Sequence, residues 1–236
     1  MSARFEELAW SETSMGTLNL RRRVEPSILV DVYEVKLGDE YLMSSLFTTA
    51  EIELARLGLA ELNRDGLDVV VGGLGLGYTA RAVLEDPRVA SLVVIEALAP
   101  VIEWHERELL PDAAGLAADP RTRFVQDDFF ALLGLDSGLD PASPGRRFDA
   151  ILVDIDHTPR HVLHPRHAAF YTPNGVGRLK RWLGPGGVFA LWSDDPPDSD
   201  FMAVLAHVFD STQAHEVRFA NPITGGESAN TVYVAR

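Results

Sequence analysis

The stretch Leu67–Ala80, LDVVVGGLGLGYTA, decides the fold of this chain. It begins with a short apolar run of β-branched residues, turns through four glycines and continues from Tyr78 into a segment of helical character. A buried strand, a glycine turn and a helix N-terminus together form a cradle for a nucleotide-type ligand. Glycine allows positive φ angles and a close approach of the ligand to the main chain. The candidate cofactor-binding residues in this stretch are Gly72, Gly73, Gly75 and Gly77.

Strand-like and helix-like segments alternate regularly downstream of the glycines. Apolar runs predict strands at 68–71, 91–95, 123–125, 148–153 and 188–192, with helices between them. Two further predicted strands, 215–219 and 231–234, are joined by a loop without a helix and are expected to be antiparallel. This alternation predicts a doubly wound α/β fold around a mostly parallel sheet of seven strands.

The region before the glycines predicts a separate small β unit. Segments 17–23, 28–35 and 41–43 have the composition of antiparallel strands, whereas residues 1–16 carry little pattern. A helix is predicted to follow, with Thr48 or Thr49 as its cap. We therefore predict two domains. These are an N-terminal β unit, 1–47, and an α/β catalytic domain, 48–236.

The composition excludes several classes of function. The 236 residues carry a formal net charge of −14, and such a surface repels phosphate backbones, which argues against a nucleic-acid partner. The absence of cysteine excludes disulfides, thiolate nucleophiles and zinc–cysteine sites. The N-terminus lacks a signal-peptide pattern, and no stretch approaches the roughly 20 apolar residues that span a bilayer. We expect a soluble cytoplasmic protein with no membrane partner.

The spacing of the glycines discriminates between nucleotide ligands. A dinucleotide fingerprint, G-x-G-x-x-G, that begins at Gly73 and Gly75 would place its third glycine at residue 78. Tyr78 stands there, and the actual spacing is G-x-G-x-G. Such a close turn occurs in sites for S-adenosylmethionine (AdoMet). The glycines alone are weak evidence, because any tight turn between a strand and a helix can use them.

Acidic residues follow the next three predicted strands, at the edge where the ligand crevice of an open parallel sheet lies. They are Glu96 after the second strand, Asp127 and Asp128 after the third, and Asp154 and Asp156 after the fourth. An acid at position 96 can accept both ribose hydroxyls, and a carboxylate after the third strand can take the adenine amino group. Taken singly, each acid could be a helix cap or a solvated loop residue. Together they favour an adenosine ligand.

With these pieces in order, the sequence resembles the spermidine synthase family, which shares the AdoMet-dependent methyltransferase fold. The matching segments are VVVGGLGLG (69–77), VVIEALAPVIEW (93–104), DPRTRFVQDD (119–128), FDAILVDI (148–155), FY (170–171) and LGPGGVFALW (183–192). The resemblance implies a Rossmann-like sheet, a small N-terminal β domain and a transferase. It also suggests a homodimer, and it implies no metal.

The resemblance further implies a reaction and residues that carry it. Glu96 would bind the ribose, Asp127 the adenine, and Asp154 would stand at the position of the family's catalytic aspartate. In the implied SN2 displacement, an amine attacks the carbon beside the sulfonium of decarboxylated AdoMet, and methylthioadenosine leaves. A carboxylate would accept the proton of the amine. The implied partner is a small-molecule amine or polyamine.

Three departures from the family pattern leave the activity open. Gly75 stands where the family's GGGDGG loop carries an aspartate that contacts the aminopropyl amine. The usual D-S-S-D-P becomes Asp154-Ile-Asp-His-Thr158, so His157 replaces the second aspartate, and Asp156 is a candidate substitute one residue earlier. The family's Tyr-His pair is absent from residues 41–47.

Two further segments are candidates for the substrate side. His157, Asp194 and Asp195 are the candidate substrate-binding residues, although the acids near 194 could equally cap the next helix. The tract 157–167 holds four histidines, but Pro159 and Pro165 break helical spacing, and a pH-sensitive lid or an ordinary loop is favoured over a metal site.

Three hypotheses follow from these patterns. The first is a spermidine synthase-like transferase that uses decarboxylated AdoMet or AdoMet as donor to an amine. The second is an AdoMet-dependent methyltransferase, and the third is a non-catalytic relative that binds nucleotides or polyamines.

Overall fold

The computed structural model describes residues 5–236, so the first four residues of the predicted N-terminal unit lie outside the described residues. The described chain forms a four-stranded antiparallel sheet followed by a seven-stranded sheet flanked by helices. The predicted α/β class with a small N-terminal β unit is confirmed. The exact domain boundary at residue 47 stays a prediction.

The N-terminal sheet has the strand order β1-β2-β3-β4. Its strands are β1 (Phe5–Thr13), β2 (Gly16–Glu25), β3 (Val30–Leu37) and β4 (Glu40–Ser44). The sequence patterns missed β1, which pairs with β2 along its whole length. Its side chains are exposed or half-buried because it is an edge strand, and the apolar alternation that marks a strand is therefore weak.

The central sheet has the order β10-β11-β9-β8-β5-β6-β7. Its strands are β5 (Leu67–Gly72), β6 (Val89–Glu96), β7 (Thr122–Gln126), β8 (Phe148–Val153), β9 (Leu183–Ser193), β10 (Thr212–Asn221) and β11 (Gly226–Ala235). Strands β5 to β9 are mutually parallel, and β11 inserts antiparallel between β9 and β10. The predicted antiparallel pair at the end of the chain is therefore confirmed.

Six α-helices connect the strands of the described chain. They are α1 (Thr49–Ala60), α2 (Tyr78–Glu85), α3 (Ala99–Glu106), α4 (Phe129–Leu132), α5 (Pro173–Lys180) and α6 (Ser199–Val208). Thr48 stands at the N-cap of α1 as predicted, but its side chain makes no capping hydrogen bond. No helix in residues 5–236 is both long and apolar enough to cross a membrane.

The hydrophobic core lies on both faces of the central sheet, since successive side chains of a strand point to opposite faces. On β5, Val69 and Val71 pack with α1, α2 and α3, whereas Val70 packs with α4, α5 and α6. Leu18 and Leu20 of β2 join the first of these two clusters. The N-terminal sheet therefore shares a core with the central sheet and is held close to the ends of its strands.

Candidate active site

The carboxyl ends of four parallel strands meet at one edge of the central sheet. Gly72 at the end of β5 is level with Ile95 of β6 and with Val153 of β8, and Glu96 is level with Gln126 of β7. The residues that follow these strands are therefore brought together, as expected for a ligand crevice.

The glycine loop between β5 and α2 packs directly against the end of β8. Gly73 has a φ of +94°, and a Cβ atom there would lie 2.0 Å from the carbonyl oxygen of Asp154. The carbonyl oxygen of Gly72 accepts a hydrogen bond from the amide of Asp154 at 2.8 Å. Gly77 forms the N-cap of α2 with a φ of +89°. The loop thus fixes the backbone that carries Asp154.

His105 of α3 makes a hydrogen bond to the glycine loop. The sequence patterns did not identify this residue. Its Nε2 lies 2.9 Å from the carbonyl oxygen of Gly75. Burial lowers the pKa of His105, so the ring is neutral and Nε2–H donates to the carbonyl. An isolated histidine on a helix gives no sequence signal of this role.

A cavity of about 960 Å³, here termed the larger cavity, runs from the glycine loop across the ends of β6 and β7. Gly73, Gly75, Glu96, Asp127 and Asp128 line it, so these five predicted cofactor-binding residues share one space. Of the other predicted glycines, Gly72 lines neither cavity described here, and Gly77 faces the second one.

Glu96 connects the glycine loop to the start of α3. Its Oε2 accepts a hydrogen bond from the amide of Leu74 at 3.0 Å, and its Oε1 accepts one from the amide of Leu98 at 2.9 Å. Burial raises the pKa of Glu96. The backbone amides of Gly75 and Ala97 also interact with this carboxylate.

Asp127 and Asp128 differ in what their side chains do. Asp128 caps α4, because its Oδ1 accepts from the amides of Phe130 at 2.9 Å and Ala131 at 3.2 Å. Asp127 accepts only the amide of Asp128, at 2.8 Å, and is exposed to the larger cavity. The geometry therefore leaves Asp127 freer to bind a ligand, whereas Asp128 has a clear role in starting the helix.

A second cavity of about 510 Å³, here termed the smaller cavity, adjoins the first. Three carboxyl groups line it, those of Glu51, Asp154 and Asp194. Aromatic rings form much of the remaining wall, namely Tyr41, Phe47, Tyr78, Trp192 and Phe219. None of the described residues that line it is Arg or Lys. Carboxylates and aromatic faces both attract cations, so this cavity suits a positively charged ligand.

Asp154 lies where the two cavities meet. Residues common to both are Leu42, Met43, Gly75, Asp154 and Ile155. The Oδ2 of Asp154 accepts a hydrogen bond from the hydroxyl of Thr79 at 2.8 Å. Burial raises the pKa of Asp154 to about 6. A group with this pKa at the junction is well placed to exchange a proton near neutral pH.

Glu51, in the first turn of α1, is a site residue that the sequence patterns missed. Burial, together with the neighbouring charge of Asp154, raises the pKa of Glu51 to about 8. An acid in the first turn of a helix is commonly explained by the helix dipole, so the sequence offered no reason to assign it to a site. Glu51 and Asp154 together form a pair of carboxyl groups that face one cavity.

The Glu51 carboxyl group should make the stability of the protein depend on pH. Its pKa is higher in the folded state than in the unfolded state, so the folded protein holds this proton at pH values where the unfolded chain has lost it. The contribution of Glu51 to the free energy of unfolding is therefore at its full value below about pH 4.5. As pH rises from there through about 8, the free energy of unfolding should fall, with a slope of up to about 1.4 kcal/mol per pH unit.

Urea denaturation between pH 5 and pH 8.5 measures this slope. The Glu51→Gln variant should show a shallower decrease, because an amide does not titrate. Glu53→Gln, on the same helix but lining neither cavity, is the matched control. Equal slopes in all three proteins would refute the assignment.

Asp156 does not reach either cavity. It is 2% exposed, and its carboxylate accepts three hydrogen bonds, from the Leu163 amide at 2.7 Å, from His167 Nδ1 at 2.7 Å and from the Tyr171 hydroxyl at 2.9 Å. The structure therefore separates the two predicted catalytic aspartates. Asp156 anchors the histidine-containing tract, whereas Asp154 faces the cavities.

The predicted substrate-binding residues are only partly brought together. His157 and Asp194 line the smaller cavity, and Asp194 Oδ1 accepts a hydrogen bond from Asn230 at 2.6 Å. Asp195 lines neither cavity. The cap of α6 is Asp198, which accepts from the amides of Asp200 and Phe201. The acidic loop therefore places one carboxylate at the smaller cavity and uses another to cap α6, and substrate binding by Asp194 stays a prediction.

The histidine tract forms two ring pairs rather than one cluster, His157 with His161 at 5.0 Å and His164 with His167 at 5.8 Å between centroids. His157 Nε2 lies 3.3 Å from Glu40 of β4, which links the tract to the N-terminal sheet. His164 and His167 line the larger cavity. Within residues 5–236, no group of three or more His, Asp or Glu side chains is arranged to hold a metal ion.

Several known proteins are similar to this chain in sequence or in structure. The polyamine aminopropyltransferase of Mycobacterium tuberculosis (strain CDC 1551 / Oshkosh) is 30% identical over 128 residues, which are 54% of this chain and 23% of the relative. The chain thus matches less than a quarter of the length of that relative. No family model matches the chain.

Solved structures match over most of the chain. A spermidine synthase in complex with the transition-state analogue AdoDATO has a TM-score of 0.72 at 17% identity, covering 97% of this chain and 73% of that one. The spermidine synthase of Thermotoga maritima has a TM-score of 0.71 at 17% identity, covering 97% and 72%. Human methyltransferase-like protein 13, in complex with SAH, has a TM-score of 0.62 at 20% identity, covering 79% and 82%.

These likenesses confirm the predicted resemblance in fold to spermidine synthases and to the methyltransferase-like proteins. The proteins named are aminopropyltransferases or methyltransferases, that is, transferases, as the sequence led us to expect. Identities of 17% and 20% show the fold alone, because one fold hosts many functions.

Proposed function

We propose that this chain is a transferase that moves an aminopropyl group from decarboxylated AdoMet to a small cationic amine. The observation that carries the proposal is the contrast between the two cavities. One suits a nucleoside, the other suits a cation, and Asp154 lies between them. Such an arrangement brings a sulfonium donor and an amine acceptor to the same carboxyl group.

The larger cavity would hold the adenosyl part of the donor. Glu96 would accept the ribose hydroxyls, and Asp127 would accept a hydrogen of the adenine amino group. Both side chains line that cavity, and Glu96 is already oriented by two backbone amides. The closeness of the glycine loop to β8 would direct the sulfonium towards Asp154.

The smaller cavity would hold the acceptor amine. Glu51 and Asp194 would attract its positive charge, and a free aromatic face such as that of Trp192 would add a cation–π interaction of about 0.5–2 kcal/mol. A carboxylate-bearing tail would meet the same carboxyl groups and no Arg or Lys among the described lining residues. This difference favours the decarboxylated donor over intact AdoMet.

Asp154 would act as the proton acceptor. The amine attacks the carbon beside the sulfonium, the C–S bond breaks with its electron pair going to sulfur, and the proton of the amine passes to the carboxylate. The products are an alkylated amine and neutral methylthioadenosine. Thr79 would hold the carboxylate in place through its hydroxyl, which donates to Oδ2.

Release of methylthioadenosine tests the proposal. Purified protein incubated with decarboxylated AdoMet and a panel of diamines and polyamines should release methylthioadenosine in proportion to the amine consumed, as measured by liquid chromatography. Monoamines of equal length are the control, since they lack the second charge that Asp194 would bind. No release with any amine would refute the proposed reaction.

An AdoMet-dependent methyltransferase is the second candidate, favoured by one observation. The position where an aspartate would contact an aminopropyl amine is Gly75, and Met43 occupies the adjoining space, with its Sδ 2.7 Å from where a Cβ would lie. Calorimetric titration with the two donors separates the candidates. Tighter binding of intact AdoMet than of the decarboxylated form would favour methyl transfer.

A further inference from the structure

The buried Asp156 and the half-buried His167 form a pair at the wall of the larger cavity. Asp156 is 2% exposed, and its Oδ1 lies 2.7 Å from Nδ1 of His167. The same oxygen accepts the Leu163 amide, and the other oxygen accepts the Tyr171 hydroxyl at 2.9 Å. Two assigned donors, the Leu163 amide and the Tyr171 hydroxyl, therefore converge on this carboxylate, which is the arrangement expected around an ionised group.

These contacts determine which nitrogen of the imidazole carries the hydrogen. The carboxylate only accepts, so Nδ1 of His167 must donate to it. In the neutral ring, Nε2 is then left with a free lone pair. Within residues 5–236, Nε2 makes no hydrogen bond. It is also not a buried atom. Nε2 is therefore open to the larger cavity, which His167 lines.

The position of His167 identifies the part of the ligand that it meets. Its ring lies 4.3 Å from the ring of Phe130, centroid to centroid, and Phe130 follows Asp127 and Asp128 at the start of α4. All four side chains line the larger cavity. Glu96, the candidate ribose ligand, lies at the end of the neighbouring strand, so His167 stands at the end of the cavity where the base would lie.

We propose that His167, oriented by Asp156, accepts a hydrogen bond from the exocyclic amino group of the purine, and that the cavity thereby selects a 6-aminopurine over a 6-oxopurine. This inference rests on the proposed adenosyl donor. An amino group has two hydrogens, and Asp127 and His167 can each accept one. A 6-oxopurine presents a carbonyl oxygen instead, whose lone pairs repel those of Nε2 and of the carboxylate.

Calorimetric titration with methylthioadenosine and methylthioinosine tests the inference. The wild-type protein should bind methylthioadenosine more tightly. His167→Phe keeps an aromatic ring beside Phe130 but removes Nε2, so it should weaken methylthioadenosine on the order of tenfold and leave methylthioinosine nearly unchanged. Phe130→Leu is the control, because it should weaken both nucleosides by the same factor. A variant that loses the preference for methylthioadenosine over methylthioinosine has lost base recognition. A variant that weakens both nucleosides equally has only a general structural effect.

The outcomes distinguish this inference from the proposed function. If the wild-type protein binds neither nucleoside, the adenosyl donor is wrong and the inference fails with it. If it binds methylthioadenosine but His167→Phe keeps the full selectivity, only the role of His167 is refuted. A wild-type protein that binds both nucleosides equally also refutes that role.

A measurement on the unaltered protein guards against a variant that does not fold. Nitrogen-15 NMR of histidine-labelled protein should show His167 in the tautomer with hydrogen on Nδ1. Methylthioadenosine should shift the Nε2 resonance, whereas methylthioinosine should not. An Nε2 that already carries hydrogen, or that does not respond to methylthioadenosine, would overturn the inference.

Discussion

Replacing Asp154 with asparagine is expected to lower turnover by about 10²- to 10⁴-fold while methylthioadenosine still binds. Asparagine has nearly the same shape and can still accept the hydroxyl of Thr79, which donates to Oδ2 at 2.8 Å in the native site. It cannot take a proton from the amine. The loss should therefore appear in kcat, measured by methylthioadenosine release, and not in nucleoside affinity, measured by calorimetry.

The pH profile of the native enzyme supplies an independent check. Burial raises the pKa of Asp154 to about 6, and the acceptor of a proton must be ionised, so kcat/KM should fall as pH drops below about 6. Asp136→Asn, at an exposed position that lines neither cavity, is the matched control and should keep the native rate. If Asp154→Asn kept that rate too, the base would be another group, with Glu51 the first to examine.

Gly73→Ala is expected to lower the free energy of unfolding by about 3 kcal/mol. The substitution combines two costs. Alanine is strained at the φ of +94°, and its Cβ would lie 2.0 Å from the carbonyl oxygen of Asp154, a backbone atom that cannot turn away. The strand end would have to move, so methylthioadenosine binding should weaken as well. Guanidinium denaturation measures the first effect and calorimetry the second.

Gly66→Ala separates the two costs. Gly66 also has a positive φ, +74°, but nothing lies within 4 Å of a Cβ placed there. Only the backbone strain applies, so its loss should be about 1 kcal/mol, without an effect on binding. Equal losses at both positions would show that the approach of the glycine loop to β8 is not a constraint.

The sequence predicted the central sheet well because its signals are local. Apolar β-branched runs mark buried parallel strands, and glycines mark the turn after β5. The edge strand β1 escaped prediction, since its side chains alternate little between buried and exposed. Pairing with β2 decides its structure, and that information lies in another part of the chain.

The sequence could predict only those residues of the candidate site whose position follows from the order of strands and helices alone. Glu96 ends a parallel strand, and Asp127 and Asp154 each follow one, so the sheet necessarily brings them to one edge. Glu51 reaches the site from α1, across a tertiary contact that no local pattern encodes. Asp156 stands only two residues from Asp154 and yet points to a different environment, because the chain turns after β8 to place its carboxylate among Leu163, His167 and Tyr171.

The shared wall between the two cavities has a thermodynamic consequence. Five residues line both cavities, namely Leu42, Met43, Gly75, Asp154 and Ile155. Because Asp154 is one of them, its protonation changes the charge that faces each cavity. A ligand in one cavity that changes this proton occupancy must change the affinity of the other cavity for any ligand whose binding depends on the same proton. By linkage the coupling free energy is the same in both directions, whichever ligand binds first. The two cavities are thus coupled through the protonation of Asp154.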